Sequence, residues 1–273
     1  MTELWRPFAF EFFRNGFLAA TLAGGLCGLL GVFIVLRGMS YIGHGLAHAI
    51  FGGAVVAFMM QWNFYVGAGL WGFLAAVLIN EMARRTTIKA DAVIGVVTTA
   101  SFAVGVAIIS RYRRFTRSFD AALFGNVLGV SPQDVVVVAG VTVLVTLMIL
   151  AFYKHLLFTT FDAETAHVYG VRTTWVETLF ALLLAATLIA SLQILGVTLI
   201  AAALVIPAIT ARLLTDAFDR LMLLSALIGA GTGALGMLVS FYADAASGAT
   251  IVLVQAAGFG LALAWRGLRA RAA

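Results

Sequence analysis

Charged side chains are scarce in this chain. Only 11% of its 273 residues are Asp, Glu, Lys or Arg, whereas 63% are hydrophobic. A soluble domain is about one-quarter charged, and this chain has too few solvated side chains to cover so much apolar surface. The composition excludes a soluble globular protein and predicts an integral membrane protein. The net charge of +5 comes without an interleaved basic and aromatic patch, so we expect no nucleic-acid partner.

Cysteine and lysine are also rare. One cysteine, Cys27, can form neither an intrachain disulfide nor a cysteine metal cluster, and a small buried apolar residue is its simplest interpretation. The two lysines, Lys89 and Lys154, do not follow the Gly-x-x-x-x-Gly pattern of a phosphate-binding loop. The chain cannot bind ATP by that device, so an ATP-driven activity would need another subunit.

Long apolar runs are abundant. A bilayer core about 30 Å thick takes roughly 20 helical residues. The sequence therefore predicts an all-α, multi-pass bundle of about eight to nine transmembrane helices in a single domain over residues 1–273. The predicted spans are 17–36, 42–60, 66–82, 92–110, 135–153, 175–192, 197–214, 221–242 and 250–265. Residues 121–130 are apolar but too few to cross, which predicts an interfacial or buried half-helix.

Small residues recur four positions apart, at Gly24 and Gly28 and at Gly229 and Gly233. This spacing lets helix backbones approach closely in a membrane. We expect packing within the chain rather than a dimerisation motif.

Basic residues in short loops predict orientation, because Lys and Arg concentrate on the cytoplasmic side. The basic C-terminal tail predicts a cytoplasmic C-terminus, and counting back places most other basic loops there too. Four arginines then fall outside, which indicates a miscounted crossing, an acidic external partner or a cluster that snorkels at the interface. They are Arg111, Arg113, Arg114 and Arg117.

The stretch SYIGHGLAHA places His44 and His48 four residues apart in apolar surroundings. Residues at this spacing share one helix face, and counting from Arg37 predicts a depth of roughly 10 to 16 Å. Ionisable groups inside a membrane usually face a cavity or pathway, and neutral imidazole binds zinc and similar metals. Two histidines that merely fit the core remain the alternative.

Three functional interpretations of the histidine pair compete. A metalloprotease needs His-Glu-x-x-His, and no acid lies between these histidines. A proton-coupled carrier would be expected to have membrane-embedded carboxylates as well, whereas the acids here fall near predicted span ends. A transient site for a transition-metal cation needs weak binding, which two histidines and a mobile third ligand provide. Asp244 and Asn126 are candidate third ligands, although helix-end capping is the simpler role for each.

Residues 158–173, FTTFDAETAHVYGVRT, form a polar interruption between apolar runs. Asp162 can cap a short helix, Glu164 would lie in its first turn, and Gly170 suits its end. Such a helix is either a connector or a docking element for a partner.

Six ordered blocks resemble the metal-type ABC transporter permeases, the bacterial importers of zinc, manganese or ferrous iron. They run from about residue 16 to residue 254. The blocks are GLLGVFIVLRGMSYIGHGLAHAIFGGAVVAF, ADAVIGVVTTASFAVGVAIIS, LFGNVLGVSPQD, FDAETAHVYGV, SLQILGVTLIAAALVIPAITARLL and SFYADAASGATIVLV. The resemblance implies a permease fold of the metal and vitamin-B12 type in the bacterial inner membrane. It also implies a homodimer with two ATP-binding cassette subunits and an extracytoplasmic metal-binding protein.

The resemblance also assigns site residues. His44 and His48 look like the metal-contacting pair of the pathway, with no permanently bound cofactor and no catalytic residue. Asp162, Ala163, Glu164, Ala166 and Gly170 look like the coupling helix that enters the ATPase cleft. Members of the family commonly have Asp where this chain has His44, and nitrogen in place of oxygen disfavours manganese. The expected cargo is therefore Zn²⁺, with Mn²⁺ or Fe²⁺ as alternatives, and a proton-coupled secondary carrier is the alternative of another class.

Overall fold

The computed structural model describes residues 5–85, 87, 90–112, 125 and 127–272. Within these ranges the chain forms eleven α-helices and no β-strand, as the sequence predicts. Two short 3-10 turns, Arg6–Ala9 and Val127–Gly129, precede α1 and α5. The helices are α1 (Glu11–Leu36), α2 (Ser40–Met59), α3 (Phe64–Arg85), α4 (Ala90–Tyr112), α5 (Pro132–Ala151), α6 (Tyr153–Phe161), α7 (Ala163–Val168), α8 (Thr173–Leu195), α9 (Ile200–Leu214), α10 (Phe218–Ala243) and α11 (Ser247–Ala272).

Eight of these helices are long and apolar enough to cross a membrane: α1 to α5, α8, α10 and α11. The seventh predicted span, 197–214, is shorter than expected because α9 has only 15 residues, about 22 Å of helix. Gly196, with a φ of 76°, ends α8, and α9 begins only at Ile200. Half of the predicted half-helix at 121–130 lies outside the described residues, and the described part contains the 3-10 turn Val127–Gly129, with Val127 and Val130 buried.

One end of the bundle is defined by α7, and we call it the α7 face. Side-chain hydrogen bonds bring three helix ends to this face: the end of α1, the end of α3 and the start of α10. The donor and acceptor pairs are Arg37 with Thr159 and Thr160, Arg84 with Thr174, and Tyr153 with Asp219. Because α6, α7 and the start of α8 also lie here, α1 and α3 run towards this face and α8 and α10 run away from it.

The opposite face collects the other helix ends. The Tyr65 hydroxyl donates to Asp134 at 2.7 Å, which joins the starts of α3 and α5. Phe13 packs on Phe241 with ring centroids 5.2 Å apart, which joins the start of α1 to the end of α10. The last residues of α8, Ile194 and Leu195, pack on Gly125, and the 15-residue α9 then returns the chain to the α7 face, where α10 begins.

The chain thus runs between the two faces nine times, in the eight helices long enough to span a membrane and in the shorter α9, and Trp5 and the end of α11 lie on opposite faces. The C-terminal helix α11 ends on the α7 face, the face of most basic loops. Arg111 ends α4 on the opposite face, so the structure shows no crossing missed before it. Arg113, Arg114 and Arg117 lie outside the described residues.

The tightest helix pair is α1 against α10. A Cβ added at Gly24 would overlap the carbonyl oxygen of Gly229, and one added at Gly28 would overlap that of Ser225. The Ser225 hydroxyl also donates to the Gly28 carbonyl oxygen at 2.5 Å. The prediction that these glycines serve packing within the chain is confirmed: Gly229 lies against Gly24 and Gly28, and Gly233 lies against Ala20.

Candidate functional site

The two predicted histidines lie side by side on α2. Their ring centroids are 4.5 Å apart and the rings are inclined by 73°. Phe102 of α4 stands edge-on to His48 at 4.9 Å, and Tyr41 lies 5.7 Å from His44. The prediction that both imidazoles share one helix face is confirmed.

The pair has a free ring nitrogen. Both histidines are half-buried, and Nδ1 of His48 is buried without a hydrogen-bond partner among the described residues. Leaving a buried polar atom unpaired costs about 1–3 kcal/mol, so such an atom needs an explanation. An imidazole nitrogen with its lone pair available can ligate a transition metal. The orphaned nitrogen therefore fits a metal-contacting role.

Close packing behind the histidines holds α2 in place. A Cβ added at Gly45 would meet Ile94 at 2.6 Å and Thr98 at 3.0 Å, both on α4. A Cβ at Gly52 would overlap the Ser101 carbonyl oxygen one turn further along α4. Larger side chains here would push α2 and α4 apart. The glycines thus let α4 support the histidine-bearing helix as a rigid platform.

Along α2, the histidine pair lies slightly closer to the α7 face than a count from Arg37 predicts. Residues 37–39 form a turn, and α2 begins only at Ser40 on the α7 face. His44 and His48 therefore lie about 6 Å and about 12 Å along the helix. The pair belongs to the half of α2 nearer the α7 face, with His48 close to the middle of the helix.

The described residues contain no group of three His, Cys, Asp or Glu side chains arranged to hold a metal. Asp244 ends α10 on the opposite face in the left-handed conformation, with a φ of 49°, far from the histidines. Its predicted role as a helix-end residue is confirmed, and Asn126 lies outside the described residues. Within the part of the chain that is described, the site consists of two imidazoles, an arrangement suited to brief contact with a cation.

The segment at 158–173 folds as predicted into a short capped helix. Asp162 caps α7 by accepting from the Thr165 N–H at 2.8 Å and the Thr165 hydroxyl at 2.5 Å. These hydrogen bonds lower the pKa of the Asp162 carboxyl. Glu164 lies in the first turn, and Gly170 follows the helix with a φ of 84°. The geometry of a short helix that ends at a glycine is confirmed.

The surface of α7 is unusually apolar for a loop. Ala166 is fully buried, and Ala163 is half-buried beside the exposed Asp162. Val168 and Tyr169 are about four-fifths exposed, at 83% and 77%, and Phe161 is 64% exposed. Adjacent exposed apolar side chains of this kind mark a surface for a protein partner.

Arg37, which the sequence marks only as the end of an apolar span, makes tertiary contacts that its position in the sequence does not predict. Its guanidinium donates from Nε to the Thr160 hydroxyl at 3.1 Å and from Nη2 to the Thr159 hydroxyl at 3.3 Å. The group also lies 4.3 Å from the ring centre of Phe180. Burial lowers the pKa of Arg37 to about 10, although attraction by Glu177 opposes this.

Comparison with known proteins places the chain in a family. Residues 9–266 match the ABC 3 transport family. The chain is 36% identical over 274 residues to the manganese transport system membrane protein MntC of Halalkalibacterium halodurans, covering 96% of this chain and 94% of that protein. It is 34% identical over 253 residues to the chelated iron transport system membrane protein YfeC of Yersinia pestis, covering 92% and 85%.

Solved structures agree with this assignment. PsaBC from Streptococcus pneumoniae, solved in complex with Fab, superposes with a TM-score of 0.86 at 32% identity, covering 96% of this chain and 94% of that one. An inward-facing ABC transporter of the metal-chelate type superposes with a TM-score of 0.75 at 17% identity, covering 92% and 85%, and supports the fold alone. The chain therefore belongs to the ABC 3 transport family and is a multi-pass membrane permease subunit of a metal-type ABC transporter.

Proposed function

We propose that this chain imports a divalent transition metal across a bacterial inner membrane, and that His44 and His48 contact the metal on its way. The observation that supports this most directly is the half-buried imidazole pair, one of whose ring nitrogens has no hydrogen-bond partner in the described part of the chain. In a metal permease, contact with the transported metal would explain the pair, whereas packing in the core would not explain the unpaired nitrogen. No permanently bound cofactor is required, because the metal is the cargo.

A second copy of the chain would complete the pathway. The histidine face of α2 also carries Tyr41, which the described residues leave 55% exposed. A homodimer would enclose two such faces around a central path. The extracytoplasmic binding protein would then deliver the metal at the face opposite α7.

Two ATP-binding cassette subunits would dock on α7. The capping Asp162 and the ending Gly170 fix a short helix, and the exposed Val168 and Tyr169 offer apolar contact area. ATP-driven closure of these subunits would move α7 and switch the bundle from outward-open to inward-open. ATP hydrolysis would belong entirely to the partner subunits, and the C-terminus on the α7 face would be cytoplasmic.

The cargo is a first-row metal, and two observations favour different ions. The relatives named above are manganese and iron transport proteins, and their similarity covers nearly the whole chain, which favours Mn²⁺ or Fe²⁺. The second imidazole at position 44 favours zinc, because nitrogen ligands suit Zn²⁺ better than Mn²⁺. We place Mn²⁺ first and keep Zn²⁺ as the second candidate. The relatives give no support to a stand-alone proton-coupled carrier.

Reconstitution tests the proposal. Purified permease, ATPase and metal-binding protein would be assembled in liposomes, and uptake of radioactive Mn²⁺ would be measured with Zn²⁺ and Fe²⁺ as competitors. We expect uptake that requires all three proteins and hydrolysable ATP. Uptake by the permease alone, driven by a proton gradient, would contradict an ATP-driven importer.

A further inference from the structure

The turn between α1 and α2 is connected to the helix that precedes α7 by one side chain. Arg37 stands at the end of α1, and its guanidinium reaches Thr159 and Thr160 in the last turn of α6. Both threonines are buried, at 7% and 9% exposure, so their hydroxyls point into the protein rather than towards water. Thr160 is followed by Phe161 and then by Asp162, the cap of α7.

The threonine hydroxyls are prepared to accept from Arg37. Thr160 donates its own hydrogen to the Leu156 carbonyl oxygen at 2.6 Å, and Thr159 donates to the His155 carbonyl oxygen at 2.9 Å. Their lone pairs are then left to accept from the arginine. Hydrogen bonds from a charged donor are about twice as strong as neutral ones, and burial makes their loss costlier. The contact therefore resists separation of α6 from the α1–α2 turn.

The same guanidinium also touches α8. Phe180 faces it at 4.3 Å, which is within cation–π range, and Glu177 attracts it electrostatically. Arg37 thus connects the α1–α2 turn, α6 and α8 at one point. It also lines a cavity of about 250 Å³ whose wall includes Ile42 and Leu46 of α2.

On the other side of Arg37, the chain enters the histidine-bearing helix almost at once. Gly38 adopts a φ of 67° in open space, and Ser40 starts α2. His44 follows one turn later. A displacement of Arg37 along the axis of α2 would therefore be passed to both histidines through a single rigid helix, while Gly38 supplies the turn between α1 and α2.

We propose that Arg37 is the positioning residue that transmits movement of α7 to the metal-contacting face of α2. When docked ATPase subunits shift α6 and α7, the paired threonines carry Arg37 with them and α2 follows. This inference rests on the proposed transport function and adds the route by which ATP closure reaches the histidines. Arg37 is not a metal ligand, because a cation would be repelled by its charge.

The number of metal ions imported per ATP hydrolysed tests this role. A smaller amount of correctly folded protein lowers uptake and hydrolysis together and leaves this ratio unchanged. Loss of the contact between Arg37 and the two threonines lowers the ratio, because ATP is then hydrolysed without metal import. In the reconstituted complex, we expect Arg37→Met to lower the ratio by about fivefold or more, the lower end of typical coupling between distant sites. The double variant Thr159→Val/Thr160→Val keeps Arg37 and removes both acceptors, and it should lower the ratio similarly.

Combining the three substitutions should add little to either effect, because all act on one linkage. Arg85→Met is the matched control, since Arg85 is exposed on the same face and forms an ion pair with Glu81 one turn earlier in α3. A wild-type ratio in the threonine double variant would overturn the role of Arg37 even if Arg37→Met fails to fold. Absence of metal uptake by the wild-type complex would instead overturn the proposed function itself.

Discussion

His44 is the residue on which the two candidate metals differ. An aspartate at this position would offer oxygen in place of nitrogen, which Mn²⁺ prefers and Zn²⁺ does not. We therefore expect His44→Asp to raise Mn²⁺ uptake relative to Zn²⁺ uptake several-fold in a competition assay. His155→Asp, a change at an exposed histidine on α6, is the control and should leave the ratio unchanged. If His44→Asp leaves the ratio of Mn²⁺ to Zn²⁺ uptake unchanged, His44 does not determine which metal is transported.

Local spacing predicted the contact between His44 and His48, because residues four apart in a helix are neighbours. The contacts of Arg37 could not be found in this way. Its two hydroxyl acceptors lie 123 and 122 residues further along the chain, and only tertiary packing brings them near. The sequence offered one indication, an arginine next to an apolar span, and that pattern equally describes an ordinary topology signal.

At the scale of helices, the Asp162 cap stabilises α7, the helix proposed to dock on the ATPase subunits. Asp162→Ala removes both hydrogen bonds to Thr165 and should lower the metal imported per ATP several-fold. Asp162→Asn keeps a side-chain acceptor, and asparagine is as good a helix cap, so it should retain most coupling. If wild type and Asp162→Ala import the same amount of metal per ATP, α7 is only a connector between α6 and α8.

The pH dependence of this cap follows from the direction of the pKa change. Hydrogen bonds from Thr165 lower the pKa of Asp162 in the folded state. The cap therefore contributes fully above the unfolded-state pKa, and its contribution is lost as the pH falls through the lower, folded-state value. We therefore expect the protection of α7 amides from hydrogen exchange to stay constant near neutral pH, once the intrinsic change of exchange rate with pH is taken into account. Loss of protection near neutral pH would contradict a charged cap.

The α1–α10 contact predicts a contrast between two glycines. Gly24→Ala would force the helices apart, because the new Cβ meets the Gly229 carbonyl, and we expect a loss of about 1–3 kcal/mol in unfolding free energy. Gly231→Ala on α10 meets nothing within 4 Å and should be neutral or slightly stabilising. Thermal unfolding in detergent measures both, and equal melting temperatures would show that this close approach does not limit stability.

Hydropathy predicted the long helices well because lipid requires every span to be apolar and helical. It overestimated α9, since residues 197–199 are as apolar as the helix but follow Gly196 as a turn. The four-residue glycine spacing predicted close packing within the chain. It could not predict that Gly229 lies against Gly24 and Gly28, because spacing describes one helix and not its neighbour.

At the scale of the whole molecule, the course of the chain between the two faces gives a direct prediction. Trp5 and Gly267 lie at opposite ends of the chain and on opposite faces, and Cys27 is buried and should not react. In intact cells, a membrane-impermeant maleimide should label Trp5→Cys and should label Gly267→Cys only after the membrane is opened. Labelling of both from outside would mean that α9 does not cross.

The central claim is that the imidazole pair contacts the transported metal. ATP-dependent uptake of Mn²⁺ and Zn²⁺ into proteoliposomes, compared between wild type and His44→Ala/His48→Ala, tests it most directly. Assembly with the ATPase subunits, checked by size-exclusion chromatography, ensures that folded complexes are compared. We predict that the double variant assembles but loses uptake of both metals, whereas uptake at the wild-type rate would contradict the claim.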